Sequence, residues 1–278
     1  MKFTKMHGTG NDYIYVNGFE EKLENPSEAA VKLSDRRFGI GSDGLILILP
    51  SDVADCRMEM FNADGSIGKM CGNGIRCVAK YVYDRGLVKK DVLRVETRSG
   101  VKTLQLRVED GKVASVRVNM GQPELDPEKI PVLFSKDRMV DEEVYTPSGN
   151  VWRVTCVSMG NPHAVIFVDD VEGLNLPAIG PEMEKHAMFP ERANIEFAQV
   201  TGSHEVQMRV WERGSGETLA CGTGACACAV ASVLTGKADR DVTVHLRGGD
   251  LHVFWDPDTD DVYMEGPAAF VFDGTVEI

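Results

Sequence analysis

Cys71-Gly72-Asn73-Gly74 and Cys221-Gly222-Thr223-Gly224 stand 150 residues apart in a chain of 278, and each opens a run with apolar residues at helical spacing. Ile75, Val78, Ala79 and Val82 follow the first cysteine and precede Gly86, while Ala225, Cys228, Ala229, Ser232 and Val233 follow the second and precede Gly236. That spacing predicts a helix after each cysteine, closed by a glycine able to take the left-handed conformation. The second run, Ala225-Cys226-Ala227-Cys228-Ala229-Val230-Ala231, is small on every side, so its helix is expected to be enclosed by sheet.

The repeat continues outward from the cysteines. Met58-Glu59-Met60-Phe61-Asn62-Ala63-Asp64-Gly65 begins thirteen residues before Cys71, and Met208-Arg209-Val210-Trp211-Glu212-Arg213-Gly214 begins thirteen before Cys221. Tyr13-Ile14-Tyr15-Val16 matches Val165-Ile166-Phe167-Val168 at a spacing of 152, and turns at Ser99-Gly100 and Gly248-Gly249 correspond as well. Blocks in one order at nearly one offset indicate a duplication, hence two domains of one fold.

Between these blocks the chain is strand-rich. Leu104, Leu106 and Val108 alternate up to Glu109-Asp110-Gly111-Lys112, and Val116, Val118 and Met120 resume the alternation, which reads as a hairpin. Leu45-Ile46-Leu47-Ile48-Leu49 suits a strand buried on both faces. Pro26 to Leu33 has an amphipathic helical pattern, and the Pro-rich span Gly121 to Pro147 reads as a crossover between the halves.

Composition narrows the function classes. A 43% apolar chain without low-complexity segments is expected to be globular. A net charge of −13 argues against nucleic acid and anionic membrane partners, which demand a basic face. No apolar run approaches the ~20 residues of a membrane span, and Met1 to His7 lacks a secretory pattern, so a cytoplasmic protein is expected. Seven cysteines without an export signal indicate reduced thiols.

A thiol at a helix start has a chemical use. Free first-turn amides and the helix's partial positive charge stabilise a thiolate, and the same amides attract a carboxylate. Gly72, Gly74, Gly222 and Gly224 allow close approach of a ligand. Two such thiols could face one small molecule from opposite sides, removing a proton from one face and returning one on the other. Composition and spacing alone leave this paired-thiol site and two structural helix caps both open. Cys56, Cys77, Cys156, Cys226 and Cys228 read as packing residues. The cysteines lack paired C-x-x-C knuckles, so no metal is expected. Gly39-Ile40-Gly41-Ser42-Asp43-Gly44 matches G-x-G-x-x-G, but a strand follows it, which fits a dinucleotide site poorly.

Five stretches together resemble the diaminopimelate epimerase family from end to end: Met70-Cys71-Gly72-Asn73-Gly74-Ile75-Arg76-Cys77, Ala220-Cys221-Gly222-Thr223-Gly224, Met159-Gly160-Asn161-Pro162-His163, Phe61-Asn62-Ala63-Asp64-Gly65 and His7-Gly8-Thr9-Gly10-Asn11-Asp12. The resemblance implies an α+β fold of two pseudosymmetric domains, each a mostly antiparallel β-sheet wrapped around a central α-helix. Residues 1–120 and the returning strand in 265–278 would form the domain carrying Cys71, and residues 121–264 the domain carrying Cys221. It implies a cofactor-independent isomerase that interconverts LL- and meso-diaminopimelate in lysine and peptidoglycan precursor biosynthesis. It also implies a homodimer, for which the residues themselves carry no interface signal.

Carried over position by position, the resemblance makes Cys71 and Cys221 the two acid/base groups. Backbone amides of Gly72, Asn73, Gly222 and Thr223 would hold the reacting carboxylate, with Asn11 nearby. Asn62, Asn161, Asn194 and Arg213 would bind the distal end of the substrate, Glu212 would take an ammonium group, and His163 would tune a cysteine. A bidentate Arg suits a carboxylate and Glu compensates a cation. The chain departs from some members at Gly44, where they carry Gln.

Three other readings compete. A proline or hydroxyproline racemase relative shares the paired cysteines, but usually has His at the position of Asn73 and needs no second amino acid recognition set. A redox or metal-binding thiol module would show a stable Cys71–Cys221 disulfide or bound metal in its active form. A purely structural protein gives no reason for two matched helix starts.

Overall fold

The computed structural model describes residues 1–278, in two compact units: Met1–Asn119 with Glu265–Ile278, and Met120–Met264. The first unit contains β1 (Lys2–Gly8), β2 (Asn11–Asn17), α1 (Pro26–Ser34), β3 (Gly44–Leu49), β4 (Cys56–Asn62), β5 (Ile67–Gly68), α2 (Gly72–Asp84), β6 (Val92–Thr97), β7 (Gly100–Glu109) and β8 (Lys112–Gly121). The second runs through β9 (Glu142–Tyr145), β10 (Val151–Ser158), β11 (Pro162–Phe167), α3 (Leu176–Glu184), β12 (Asn194–Gly202), β13 (Glu205–Glu212), β14 (Gly216–Thr218), α4 (Gly222–Leu234), β15 (Asp241–Leu246), β16 (Gly249–Trp255) and β17 (Val262–Gly266). The last strand, β18 (Ala269–Thr275), belongs to the first unit and pairs antiparallel with β1.

Within each unit the strands follow one plan. In the first, antiparallel pairing of β1 with β2 leads to a parallel β2·β3 pair, then antiparallel β3·β4, parallel β4·β6 and antiparallel β6·β7. In the second, antiparallel β10·β11 leads to parallel β11·β12, then antiparallel β12·β13, parallel β13·β15 and antiparallel β15·β16. The sheets are therefore mixed and mostly antiparallel.

Successive residues of a strand face opposite sides, so each sheet serves two layers. Leu45 and Leu47 pack with Ala29, Ala30 and Leu33 of α1, while Ile46 between them reaches Gly74 of α2. Both faces of β3 are covered, which is why its sequence is an unbroken apolar run. Ile195 and Phe197 likewise pack with Leu176 and Met183 of α3, and Glu196 between them turns toward Gly224 of α4. Ten of the thirteen residues of α4 are buried, as its small side chains require of a helix wrapped by β10 to β13, β15 and β16.

Both central helices close in the same way. Gly86 and Gly236 take positive φ (78° and 68°), and the amides of Gly86 and Leu87 bond to Tyr83 O and Val82 O. The amides of Gly236 and Lys237 repeat the pattern on Val233 O and Ser232 O, a Schellman closure in each case.

Two expectations are corrected. The strand registers pair Tyr15 with Ile46 and Val165 with Glu196, so Tyr15 corresponds to Val165, and Tyr13 to His163, at the same offset of 150 as the cysteines. The match at 152 slipped by two residues, a shift that leaves the apolar face unchanged and so escapes pattern matching. The Pro-rich span is more than a crossover: Ile130, Val132, Met139 and Val144 enter the second unit's core, and Glu142–Tyr145 forms β9 against β10.

Candidate active site

Cys71 and Cys221 occupy the N-cap positions of α2 and α4 with extended backbones, φ/ψ −134°/122° and −127°/109°. Each Sγ accepts the third-position amide, from Gly74 and Gly224, at 3.3 Å. The sulfur thus satisfies one of the orphan donors of the helix start, and the amides of Gly72, Asn73, Gly222 and Thr223 are those a helix leaves without an intrahelical acceptor. Gly74 and Gly224 lie close against the strand beneath each helix: a Cβ would lie 2.7 Å from Ile46 Cδ1 at the first and 2.7 Å from Glu196 Oε1 at the second.

In the first unit, Cys71 Sγ donates to Asn11 Oδ1 at 3.3 Å, and Asn73 Nδ2 reaches the same oxygen at 3.5 Å. Asn11 Nδ2 in turn donates to Asp43 Oδ2 at 2.7 Å, which also accepts the Asp12 amide. Burial pushes the Asp43 carboxyl up, and the neighbouring charge of Asp12 adds to it. The Tyr13 hydroxyl faces Cys71 and Asn11, and burial holds its phenol well above the ordinary range. Arg76 is fully buried one turn into α2, donating from Nη1 to Gly72 O at 3.1 Å and from Nε to Pro267 O at 3.2 Å. Asn62 lies at the end of β4, opposite Gly44, with Nδ2 on Ser66 Oγ at 2.9 Å. A Cβ on Gly44 would stand 2.1 Å from Phe61 O, so the tight β3·β4 pairing has no room for a side chain there.

In the second unit, Cys221 is 7% exposed, with Thr223 Oγ1 3.5 Å from its sulfur. Burial pushes its thiol well above the ordinary range; the charges of Glu212 and Glu196 add to this, and the Thr223 hydroxyl and Gly224 amide oppose it. Glu212 accepts a bond from Thr218 Oγ1. Asn194 Nδ2 donates to Pro162 O at 3.2 Å and its Oδ1 accepts the Arg213 amide at 2.9 Å, so one buried amide ties the Asn161-Pro162-His163 segment to Arg213. Arg213 Nη1 donates to Glu191 O at 2.9 Å. His163, wholly buried, contacts Asn161 Oδ1 through Nε2 at 3.1 Å and Glu196 Oε1 through Nδ1 at 2.7 Å.

The structure thus joins Cys71, Asn11 and Asn73 in one cluster, and Asn161, His163, Asn194 and Arg213 in another that reaches Cys221 through Glu196. Sequence reading missed Tyr13, Asp43 and Glu196. Glu196 carries a readable signal, a lone acid between Ile195 and Phe197, yet such alternation ordinarily marks a solvated strand face. No helix is long and apolar enough to cross a membrane. All seven cysteines are thiols.

The whole fold recurs in solved structures. A phenazine biosynthesis protein of the PhzF family from Bacillus anthracis superposes with a TM-score of 0.73 at 17% identity, covering 100% of this chain and 99% of that one. A hydroxyproline epimerase from Agrobacterium vitis gives 0.70 at 15% identity over 99% and 90%. The class is therefore the two-unit α+β fold that these proteins share. A sequence profile described as diaminopimelate epimerase matches residues 3–125 and 155–271. The chain is 59% identical over 280 residues to a diaminopimelate epimerase from Desulfovibrio desulfuricans (99% of this chain, 97% of the relative), and 59% identical over 278 residues to one from Acetivibrio thermocellus (100% and 99%). The chain belongs to the diaminopimelate epimerase family.

Proposed function

We propose that this chain is a cytoplasmic isomerase that interconverts LL- and meso-diaminopimelate by proton transfer at one Cα, with Cys71 and Cys221 serving opposite faces. The observation that carries the reading is the matched pair of helix starts, each with a cysteine N-cap whose sulfur accepts its own helix amide at 3.3 Å. In either direction one sulfur enters as thiolate and takes the Cα hydrogen as a proton. Electron density moves onto the α-carboxylate, where the amides of Gly72, Asn73, Gly222 and Thr223 meet it. The other thiol delivers its proton to the opposite face, and the two sulfurs finish with protonation states exchanged.

The remaining groups select the substrate. Asn62, Asn161, Asn194 and Arg213 bind the distal amino acid end and Glu212 its ammonium, a second recognition set that a proline racemase does not need. Asn11, hydrogen-bonded to both Cys71 and Asp43, sits beside the reacting end. Support comes from family membership and from the chemistry of these side chains, a bidentate donor for a carboxylate and an anion for a cation.

The test is turnover of LL-diaminopimelate in heavy water. Early product carries solvent deuterium at Cα while remaining substrate does not, as separate bases on two faces require. Label appearing equally in unconverted substrate, or turnover of free proline in place of diaminopimelate, would sink this reading.

A further inference from the structure

Glu196 and His163 form a buried pair behind the first turn of α4. Both side chains are wholly shielded from solvent, and Glu196 Oε2 has no hydrogen-bond partner. Other titratable groups around the carboxylate are the thiols of Cys156 on β10 and of Cys221 and Cys228 on α4. On the facing strand β13 the residue paired with Glu196 is Val210.

Hydrogen-bond accounting restricts the pair. His163 Nε2 meets an oxygen, Asn161 Oδ1, at 3.1 Å, so Nε2 carries a hydrogen. Nδ1 stands 2.7 Å from Glu196 Oε1, which then needs one proton on that contact, donated by an imidazolium or by the carboxylic acid. Either arrangement is neutral overall, as a dry site demands. With Asn161 Oδ1 occupied by the imidazole, the amide NH2 is the end left to face a ligand.

We infer that Glu196 is a positioning residue: it shares one proton with His163, fixes the Nε2–H form of the imidazole, and thereby locks Asn161 with its NH2 as the donor presented to the substrate. The duplicated structure supports this. At the positions equivalent by the offset of 150, the first unit has Tyr13 for His163, Ile46 for Glu196 and Asn11 for Asn161. There a phenol faces the asparagine directly and an apolar side chain fills the place of the acid. Only the imidazole, which has two tautomers, requires a second group to choose between them.

The inference rests on the proposed binding of substrate by Asn161, so two readouts are needed. Nitrogen-15 NMR of histidine-labelled protein, with His163 assigned by its loss in His163→Asn, reports the tautomer without substrate. Hydrogen on Nε2 is expected in the wild type and in Glu196→Gln, whose NH2 can donate to Nδ1, and a mixture or the Nδ1–H form in Glu196→Ile. A bare Nε2 in the wild type would overturn the inference whatever the activity. In steady-state assays with diaminopimelate, Glu196→Ile raises KM about tenfold with a smaller change in kcat, the scale of one hydrogen bond to a charged ligand, and its melting temperature falls, because His163 Nδ1 is left buried without a partner. Glu196→Gln restores most of the KM. An unchanged KM in Glu196→Ile, or equal damage in both variants, would overturn it. Wild-type protein that keeps the Nε2–H form but does not turn over diaminopimelate would contradict the functional reading and leave the tautomer result standing.

Discussion

Cys71 and Cys221 begin helices of the same thirteen-residue length with the same cap and the same glycine closure, but the groups behind the two sulfurs differ in charge. Behind the first turn of α2 lie Ile46, the phenol of Tyr13 and the buried cation of Arg76. Behind that of α4 lie Glu196 and His163, and Cys226 takes the position of Arg76. Duplication supplied two copies of one backbone device, and substitutions on the strands beneath made them electrostatically unequal. In the proposed reaction one sulfur acts as base and the other as acid, so unequal surroundings bias which role each takes at rest.

Breaking either half of the pair gives the largest effect. Cys71→Ala and Cys221→Ala are each expected to lower turnover of diaminopimelate by about 10³-fold or more, the scale of losing a general acid or base, with circular dichroism unchanged. Near-normal turnover by either variant would remove the need for two thiols.

Alkylation sharpens the comparison directly. Cys71 is partly buried, whereas Cys221 is buried, with its thiol pushed up by that burial and by the charge of Glu212. Iodoacetamide near neutral pH should therefore modify Cys71 first, by about tenfold over Cys221, since the accessible thiolate is the reactive species. Peptide mapping by mass spectrometry reads the order, and preferential labelling of Cys221 would show that burial and neighbouring charge do not set which thiol reacts first.

The two glycines test what stands behind each helix. An added Cβ at Gly74 meets the mobile ends of Ile46 and Met58, at 2.7 and 3.1 Å. At Gly224 it meets the Glu196 carboxylate that His163 holds in place. Alanine gains about 1 kcal/mol of helix propensity over glycine, so Gly74→Ala should lie within about 1 kcal/mol of wild type in urea unfolding. Gly224→Ala should lose about 2 kcal/mol, the range of core overpacking.

The smallest effect concerns the packing cysteines. Burial pushes the Cys56 thiol up from 9.0 to about 12 and that of Cys77 from 9.0 to about 11. An unfolded chain ionises these thiols from about pH 9 while the folded one keeps them protonated, so the folded state binds more protons above that pH and stability falls as pH rises toward 11 and 12. Cys56→Val should flatten the fall between pH 9 and 10 by up to about 1 kcal/mol, measured by urea unfolding at the two values.

Local features of the site were legible because they depend on neighbours in the chain. The cysteine caps, the glycine closures at Gly86 and Gly236 and the doubly buried β3 all follow from spacing within a dozen residues. Glu196 was not, because its burial depends on β12 pairing in parallel with β11 and on α4 covering that face. An acid between Ile195 and Phe197 has the same local pattern whether its face meets water or a helix.

The chain order of residues alone determined that there are two matched helix starts, each opened by a cysteine, since capping and periodicity act over a few residues. Only the tertiary structure decided what each sulfur faces. His163 and Glu196 lie 33 residues apart and meet through a parallel strand pair, and no short-range rule encodes a contact set by the register of two strands joined through a crossover helix.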